Sequence, residues 1–580
     1  MITRSQWVVV AAAALWGGAL AYSTVSARAL YADGAYLILG HLLAPHRFND
    51  LDFQRTFALV VSQAPVLFGQ KIGLDSVAAY AALYSVGIFV IPAVNMAVAL
   101  FLARRQPVLF AASGFAIVVY GFGANFINTE ANLLFGFAWL SVTILALEGR
   151  APVLRGVVLP ALAIAMVRTY EGMLVVGPVL GAWAFVAAVR ELGHIERIGL
   201  VIAAVLYLLG ATIGLGGFLA PRDPSNAAGF LSTALAYLRG PHAFLLLSGA
   251  AASAGVFVRQ RRTRVALAVA SAALGAAFVA GIGALNGFYS FSVYYSNRSF
   301  LVLSLPALVG AMFALYWLRP TWIGARQDDS GYALLLIPLA FAVAGDVVGT
   351  YRWNTYVRAF CYVLETPAAP HERLQALKQM GVRTAWGWTH PTMSVLLRDR
   401  GSTAIVVNDP GHWEPFDAAK PPSISVKGLC QAPLLGLART DSFELPMDFT
   451  LGSFPSYISS VNGLSKAEHW AAWSDGATVE FRFARPLPAA FDLHLRVGAA
   501  FGANKGAPIK VRAGERELAF TVDHEPMDVT LPFRDVRDAQ TVSFHVPYPE
   551  APKDRGTGDD PRKLGIALIT MRVVPLIQPR

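Results

Sequence analysis

Charge is what the first part of this 580-residue chain has least of. Residues 1–349 contain 21 Lys and Arg and 13 Asp and Glu, and the rest of the chain contains the other 26 and 24. A soluble domain spreads charges, roughly a quarter of its residues, over its whole surface. A chain that thins them out over its first part is immersed there in hydrocarbon. Cysteine is nearly absent. Cys361 and Cys430 are the only two, and their separation matches no metal-ligand spacing. They could pair outside the cytoplasm, but the reading favours free thiols. His41, His46 and His242 show no metal-ligand spacing either, so none of them is read as a metal ligand. Most of the net charge of +10 comes from short basic loops between apolar segments, which is the signature of membrane orientation and not of a phosphate-binding face, so no nucleic-acid partner is expected.

Long apolar runs fill the space left by charge. About 20 apolar residues cross some 30 Å of hydrocarbon. Spans are predicted at 6–25, 77–103, 107–123, 131–148, 152–168, 172–190, 198–217, 241–258, 265–285, 300–318 and 332–349, about eleven in all. The first follows the single early charge Arg4 and is read as a retained helix, not a cleaved signal. Placing the N-terminus in the cytoplasm puts the Arg259-Gln-Arg-Arg-Thr-Arg264 turn and the majority of basic residues inside. An odd number of spans then sends everything after residue 349 outside. The predicted location is a bacterial inner membrane, multi-pass, with a periplasmic C-terminal region.

The first outer loop, 26–76, is long and partly amphipathic. Tyr31, Tyr36, Leu37, Leu39, Leu42 and Leu43 recur at helical spacing among Asp33, Gly34, Gly40 and His41, as does a second stretch from Thr56 to Phe68. Such helices lie along an interface. A third is expected at Phe230–Leu238. Ionisable residues at the mouths of spans are costly unless they have partners or work. Asp33, Glu130, Arg168 with Glu171 around Tyr170, and Arg298 after Tyr294 and Tyr295 all fall on the same predicted side. Guanidinium forks suit a phosphate, a carboxylate can take a hydroxyl proton, and tyrosines can stack on a sugar. The plainer alternative is a set of interfacial charges, with Arg168 and Glu171 pairing locally. Asp346, inside the last span, is read as interfacial or paired.

This layout resembles the GT-C fold membrane glycosyltransferases over residues 1–350: an acid just past the first span, interfacial helices behind it, and a second acid in the loop between the third and fourth spans. The resemblance implies an inverting transfer of a sugar from a polyprenyl-phosphate carrier to a periplasmic glucan, surface polysaccharide or lipid-linked glycan. Asp33 would be the general base and Glu130 the second acid. Arg168, Tyr170, Glu171, Tyr294, Tyr295 and Arg298 would hold the carrier phosphate and sugar. Many members carry paired acids in the first loop, whereas here Gly34 and Ala35 follow Asp33. No cofactor is demanded, although a divalent metal is compatible with the carboxylates. A transporter or flippase of glycan or lipid intermediates would call for internal repeats and charges near mid-membrane, which are not evident. A non-catalytic scaffold for a glycan-binding domain would need neither Asp33 nor Glu130.

Beyond residue 350 the pattern becomes a soluble α/β segment to about 445 and then an antiparallel β-sandwich over 446–580. His371–Met380 reads as a helix, and Val382–Trp388 and Ser402–Val407 read as strands. Thr478–Phe483, Phe491–Val497, Ile509–Arg512 and Thr541–Val546 alternate with period two. Gly463-Leu-Ser-Lys-Ala-Glu-His-Trp-Ala-Ala-Trp-Ser-Asp-Gly, Phe501-Gly-Ala-Asn-Lys-Gly and Asp559-Asp-Pro-Arg-Lys-Leu-Gly resemble the C-terminal domain of bacterial phosphoglycerol transferases of periplasmic glucan modification. The resemblance does not bring their metal site, for which this chain shows no Asp/His/Thr cluster. Trp470, Trp473, Asn504 and Asp559 are candidate glycan contacts, with packed core as the alternative for the indoles.

Overall fold

The computed structural model describes residues 4–49, 53, 55–124, 130–147, 152–190, 193–219, 239–284, 291–318, 329–365, 369–379, 389–398, 402–409, 414–431, 447–449, 458–468, 470–483 and 486–576. The protein is a polytopic α-helical membrane protein followed by antiparallel sheets. Its helices are α1 (Arg4–Val25), α2 (Asp33–Leu43), α3 (Thr56–Lys71), α4 (Val77–Ala103), α5 (Pro107–Ala124), α6 (Ala131–Ala146), α7 (Leu154–Met166), α8 (Met173–Arg190), α9 (His194–Leu219), α10 (His242–Phe257), α11 (Arg261–Ala284), α12 (Phe291–Leu318), α13 (Leu336–Glu365), α14 (Pro370–Gln379) and α15 (His390–Leu397). Among the described residues, seven helices are long and apolar enough to cross a membrane, and the shorter apolar helices α5, α6, α7 and α10 fall on the other four expected spans. Two compact units result. One comprises Met1–Asn354, Thr384–Gly401 and Pro422–Gly436; the other comprises Thr355–Arg383, Ser402–Pro421 and Leu437–Arg580.

Within the first unit, α6 is buried at every one of its 16 residues, all but Asn132, Ser141 and Thr143 of them non-polar, as befits a helix at the centre of a bundle. Its C-terminal carbonyls are capped by the fully buried Arg155, which donates from Nη2 to Leu145 O at 2.7 Å. A cation at that end also offsets the helix dipole. The segment just after α1 is tied to α13 by a second buried arginine. Arg28 Nη1 donates to Asp346 Oδ1 and Thr350 Oγ1, both at 2.7 Å, with Arg28 and Asp346 side chains 1% exposed. Trp353 Nε1 donates to Ser26 O at 2.8 Å beside this pair. Asp346 is therefore paired, as the sequence suggested.

The two amphipathic stretches of the first long loop are the helices α2 and α3. The chain reaches α2 through Ala27 and Ala32, both buried and both at positive φ (51° and 55°), a conformation costly for alanine. Helix α3 docks on α4 at Gly87, where a Cβ would lie 2.5 Å from Ser62 Cα. The third expected helix, Phe230–Leu238, lies outside the described residues.

The segment 384–436 departs from its expected reading. α15 is buried at all eight residues and packs against α2. The chain returns beside α4, where Val77 N donates to Lys427 O at 3.0 Å and Lys427 Nζ pairs with Asp75 Oδ2 at 3.2 Å. Ser402–Val407 is not a strand. Ile405, Val406 and Val407 are buried, but Ile405 O receives Arg373 Nη1 at 3.3 Å, so a side chain stands where a strand partner was expected. A short apolar run reports burial before it reports pairing. The strand expected at Val382–Trp388 lies outside the described residues. Cys361 and Cys430 are both disulfide-bonded, correcting the reading of free thiols.

The second unit carries two five-stranded antiparallel sheets. One has the order β1 (Met447–Asp448), β10 (Leu564–Pro575), β5 (Phe491–Ala500), β8 (Met527–Phe533), with β3 (Ala472–Asp475) also paired to β10. The other has the order β2 (Ile458–Asn462), β4 (Thr478–Phe483), β9 (Thr541–His545), β6 (Ile509–Ala513), β7 (Arg516–Phe520). The period-two residues Phe481, Phe544, Leu493, Leu495 and Val511 form the inner faces and are buried to 2% exposure or less.

Candidate active site

Arg55, the residue before α3, gathers the acidic residues. Its Nε and Nη2 donate to Glu171 Oε1 at 2.9 and 2.7 Å, and its Nη1 stands 3.7 Å from Glu130 Oε2. The guanidinium also lies over the Tyr170 ring, 5.3 Å from the centroid. Glu130 precedes the first turn of α6, where the helix dipole favours an anion. Glu171 and the buried Tyr170 occupy the turn between α7 and α8. The three side chains of the cluster, Arg55, Glu130 and Glu171, are 26%, 13% and 25% exposed. The cluster is thus partly exposed, and two carboxylates on one guanidinium leave a net negative charge.

Arg168 serves the same wall differently. Its guanidinium covers the Phe53 ring at 3.7 Å and its Nε donates to Phe53 O, while Arg168 O accepts from Phe57 N at 3.0 Å. It therefore fastens the start of α3 to the α7–α8 turn. Asp33 opens α2 on a separate element and is half-buried. Its charge acts on Tyr31, whose phenol is pushed up mainly by burial, against the opposing pull of Arg28. Arg298, Tyr294 and Tyr295 belong to α12, but their side chains lie outside the described residues.

Glu130, Tyr170 and Glu171 are thus brought together, and the residue that does it, Arg55, is absent from the sequence-derived set. Its signal was available. It is one of few basic residues in the outer loops and stands immediately before an amphipathic stretch. Among the described residues, no three His, Cys, Asp or Glu side chains are grouped to hold a metal.

In the second unit, Trp470 and Trp473 are half-buried and meet edge to face, with centroids 5.7 Å apart. Asn504 is fully buried. Its Nδ2 donates to Phe501 O at 2.9 Å and Tyr548 O at 2.7 Å, and its Oδ1 accepts from Tyr548 N at 3.0 Å. Its amide is occupied in joining two loops. Asp559 is exposed, and its neighbour Asp560 takes up Arg562 at 2.6 Å, which in turn reaches Glu468 at 2.9 Å. Hydrogen bonds from Arg562 hold the Asp560 carboxyl below its usual range.

A protein-family profile described as Domain of unknown function (DUF7024) matches residues 440–575. Phosphoglycerol transferase I of Salmonella paratyphi B, of Salmonella newport and of Salmonella typhimurium are each 34% identical over 140 residues, which is 23% of this chain and 18% of theirs. The chain spans less than a fifth of the length of these relatives through that match. No solved structure matches. This membrane protein is therefore similar to Phosphoglycerol transferase I over one segment of 140 residues, and its sheet-rich C-terminal region carries the matched family profile.

Proposed function

We propose that this protein is a membrane glycosyltransferase that moves a sugar from a polyprenyl-phosphate carrier to a periplasmic or cell-surface glycan. The observation that carries the reading is the Arg55 cluster. Two carboxylates and a tyrosine drawn from separate loops meet one guanidinium at the foot of a loop helix, an arrangement that an anchor does not need. Asp33 takes the proton of the acceptor hydroxyl, whose oxygen bonds to the anomeric carbon. The bond from that carbon to the phosphate oxygen breaks, and the carrier phosphate leaves with the electron pair. Arg168 and Arg298 bind the phosphate, Tyr170, Tyr294 and Tyr295 line the sugar, and Glu130 and Glu171 receive its hydroxyls. The basic-loop bias supports a non-cytoplasmic side for these loops, and the disulfide suits an oxidising compartment.

The test is to profile envelope glycans with and without the gene and to complement with wild type and Asp33→Asn. Restoration by wild type alone is expected; restoration by Asp33→Asn would sink the reading. The name of the 34% identical relatives favours a second reading, phosphoglycerol transfer. It predicts that the deletion removes phosphoglycerol from an envelope glycan and leaves its sugars unchanged.

A further inference from the structure

The outer face of the first sheet is unusually aromatic at one end. Along β3, Ala472 and Ser474 point into the sandwich at 2% and 0% exposure, so Trp473 between them points outward. Trp473 is held in register by Ser465, whose N donates to Trp473 O at 2.8 Å and whose Oγ accepts from Trp473 N at 3.2 Å. Trp470 lies on the same face over Gly498 of β5, where a Cβ would meet its ring at 2.9 Å. Phe501, just past β5, stands edge to face with Trp473 at 6.4 Å and 88°. Three rings thus form a stepped corner, with neighbouring planes nearly perpendicular (83° and 88°). Beside it lies the Glu468–Arg562–Asp560 chain, in which one guanidinium orients two carboxylates.

We infer that this corner is a glycan-binding platform, with Trp470, Trp473 and Phe501 stacking on the C–H faces of successive pyranose rings while Glu468, Asp560 and Arg562 take their hydroxyls. Rigid rings supply contact area at low entropic cost and planar polar groups supply direction. Arg562 is paired with Glu468 and Asp560, and Arg555, beside Gly502, is paired with Glu550, so these guanidiniums are engaged by carboxylates, which disfavours phosphate chains or nucleic acid. The inference deepens the acceptor side of the proposed transfer. It is read by binding without turnover, so either can fail alone.

The experiment uses the full chain in nanodiscs, titrated calorimetrically with cellohexaose, laminarihexaose, maltohexaose and the anionic hexagalacturonate. At least one neutral hexaose is expected to bind, with affinity falling at least tenfold in Trp473→Ala and in Glu468→Gln. Gly498→Ala, which keeps all three aromatic residues but forces the Trp470 ring to shift, is expected to weaken binding as well. Thermal unfolding of each variant separates lost binding from lost fold. No binding by any neutral hexaose, equal binding by folded variants, or binding of hexagalacturonate alone would each overturn the assignment.

Discussion

Arg55 and Glu171 are joined by two hydrogen bonds, from Nε at 2.9 Å and from Nη2 at 2.7 Å, across 116 positions of sequence. The remaining nitrogen faces Glu130. Removing the guanidinium leaves two partly buried carboxylates without their shared cation. Arg55→Gln is expected to lower transfer by roughly 10²-fold, the scale of one lost preorganised donor. Arg55→Lys is expected to fall between, because an ammonium cannot make the fork. Initial rates of sugar transfer on nanodisc-embedded protein measure both.

Asp33 and Glu130 are expected to separate kinetically. Asp33→Asn removes the proposed base and should cost on the order of 10²–10⁴ in turnover with little change in expression. Glu130→Gln keeps a hydrogen-bonding group at the start of α6 and should raise KM more than it lowers kcat. Equal kcat losses in the two variants would contradict this division of roles.

The buried pair Arg28–Asp346 makes a stability prediction. Removing one partner strands the other charge at 1% exposure, a loss of about 3–5 kcal/mol. Arg28→Met and Asp346→Leu should each lower the thermal midpoint in detergent sharply, and the double variant should recover part of that loss. Size-exclusion profiles after heating report it.

His41 gives a pH prediction. The ring is fully buried on α2, and burial holds its pKa below the ordinary value of 6.5, against partial support from Arg47 and Gln63. Below that value the unfolded chain takes a proton that the folded chain refuses, so stability falls as pH drops through about 6.5 and levels off below the folded pKa. Thermal midpoints between pH 7.5 and 5 should show this fall, and His41→Gln should flatten it.

The orientation is tested by reporter fusion. Alkaline phosphatase joined after Glu365 is expected to be active, and joined after Arg105 inactive. The reverse pattern would invert the assignment of the loops.

Local chemistry reached a defined depth in this chain. The apolar runs are helices because hydrocarbon leaves the backbone no other partner, and β4 coincides with its period-two stretch because alternation states which face is buried. Asp346 was legible as a paired group for the same reason of cost. The strand expected at Ser402–Val407 was not, since three buried apolar residues say nothing of what accepts their backbone hydrogen bonds.

The site shows the same boundary. Glu130, Tyr170 and Glu171 announced themselves as polar groups at the mouths of apolar helices, a property each has alone. Arg55 did not, because its importance lies in which carboxylates it meets, and those are 75 and 116 positions away along the chain. Asn504 shows the converse: its amide is legible as a hydrogen-bonding group, and only the fold shows it spent on Phe501 and Tyr548. Sequence determined where hydrocarbon, water and pleated sheet divide this protein. Tertiary structure decided which of its polar groups face one another, because that depends on long-range packing that no local pattern encodes.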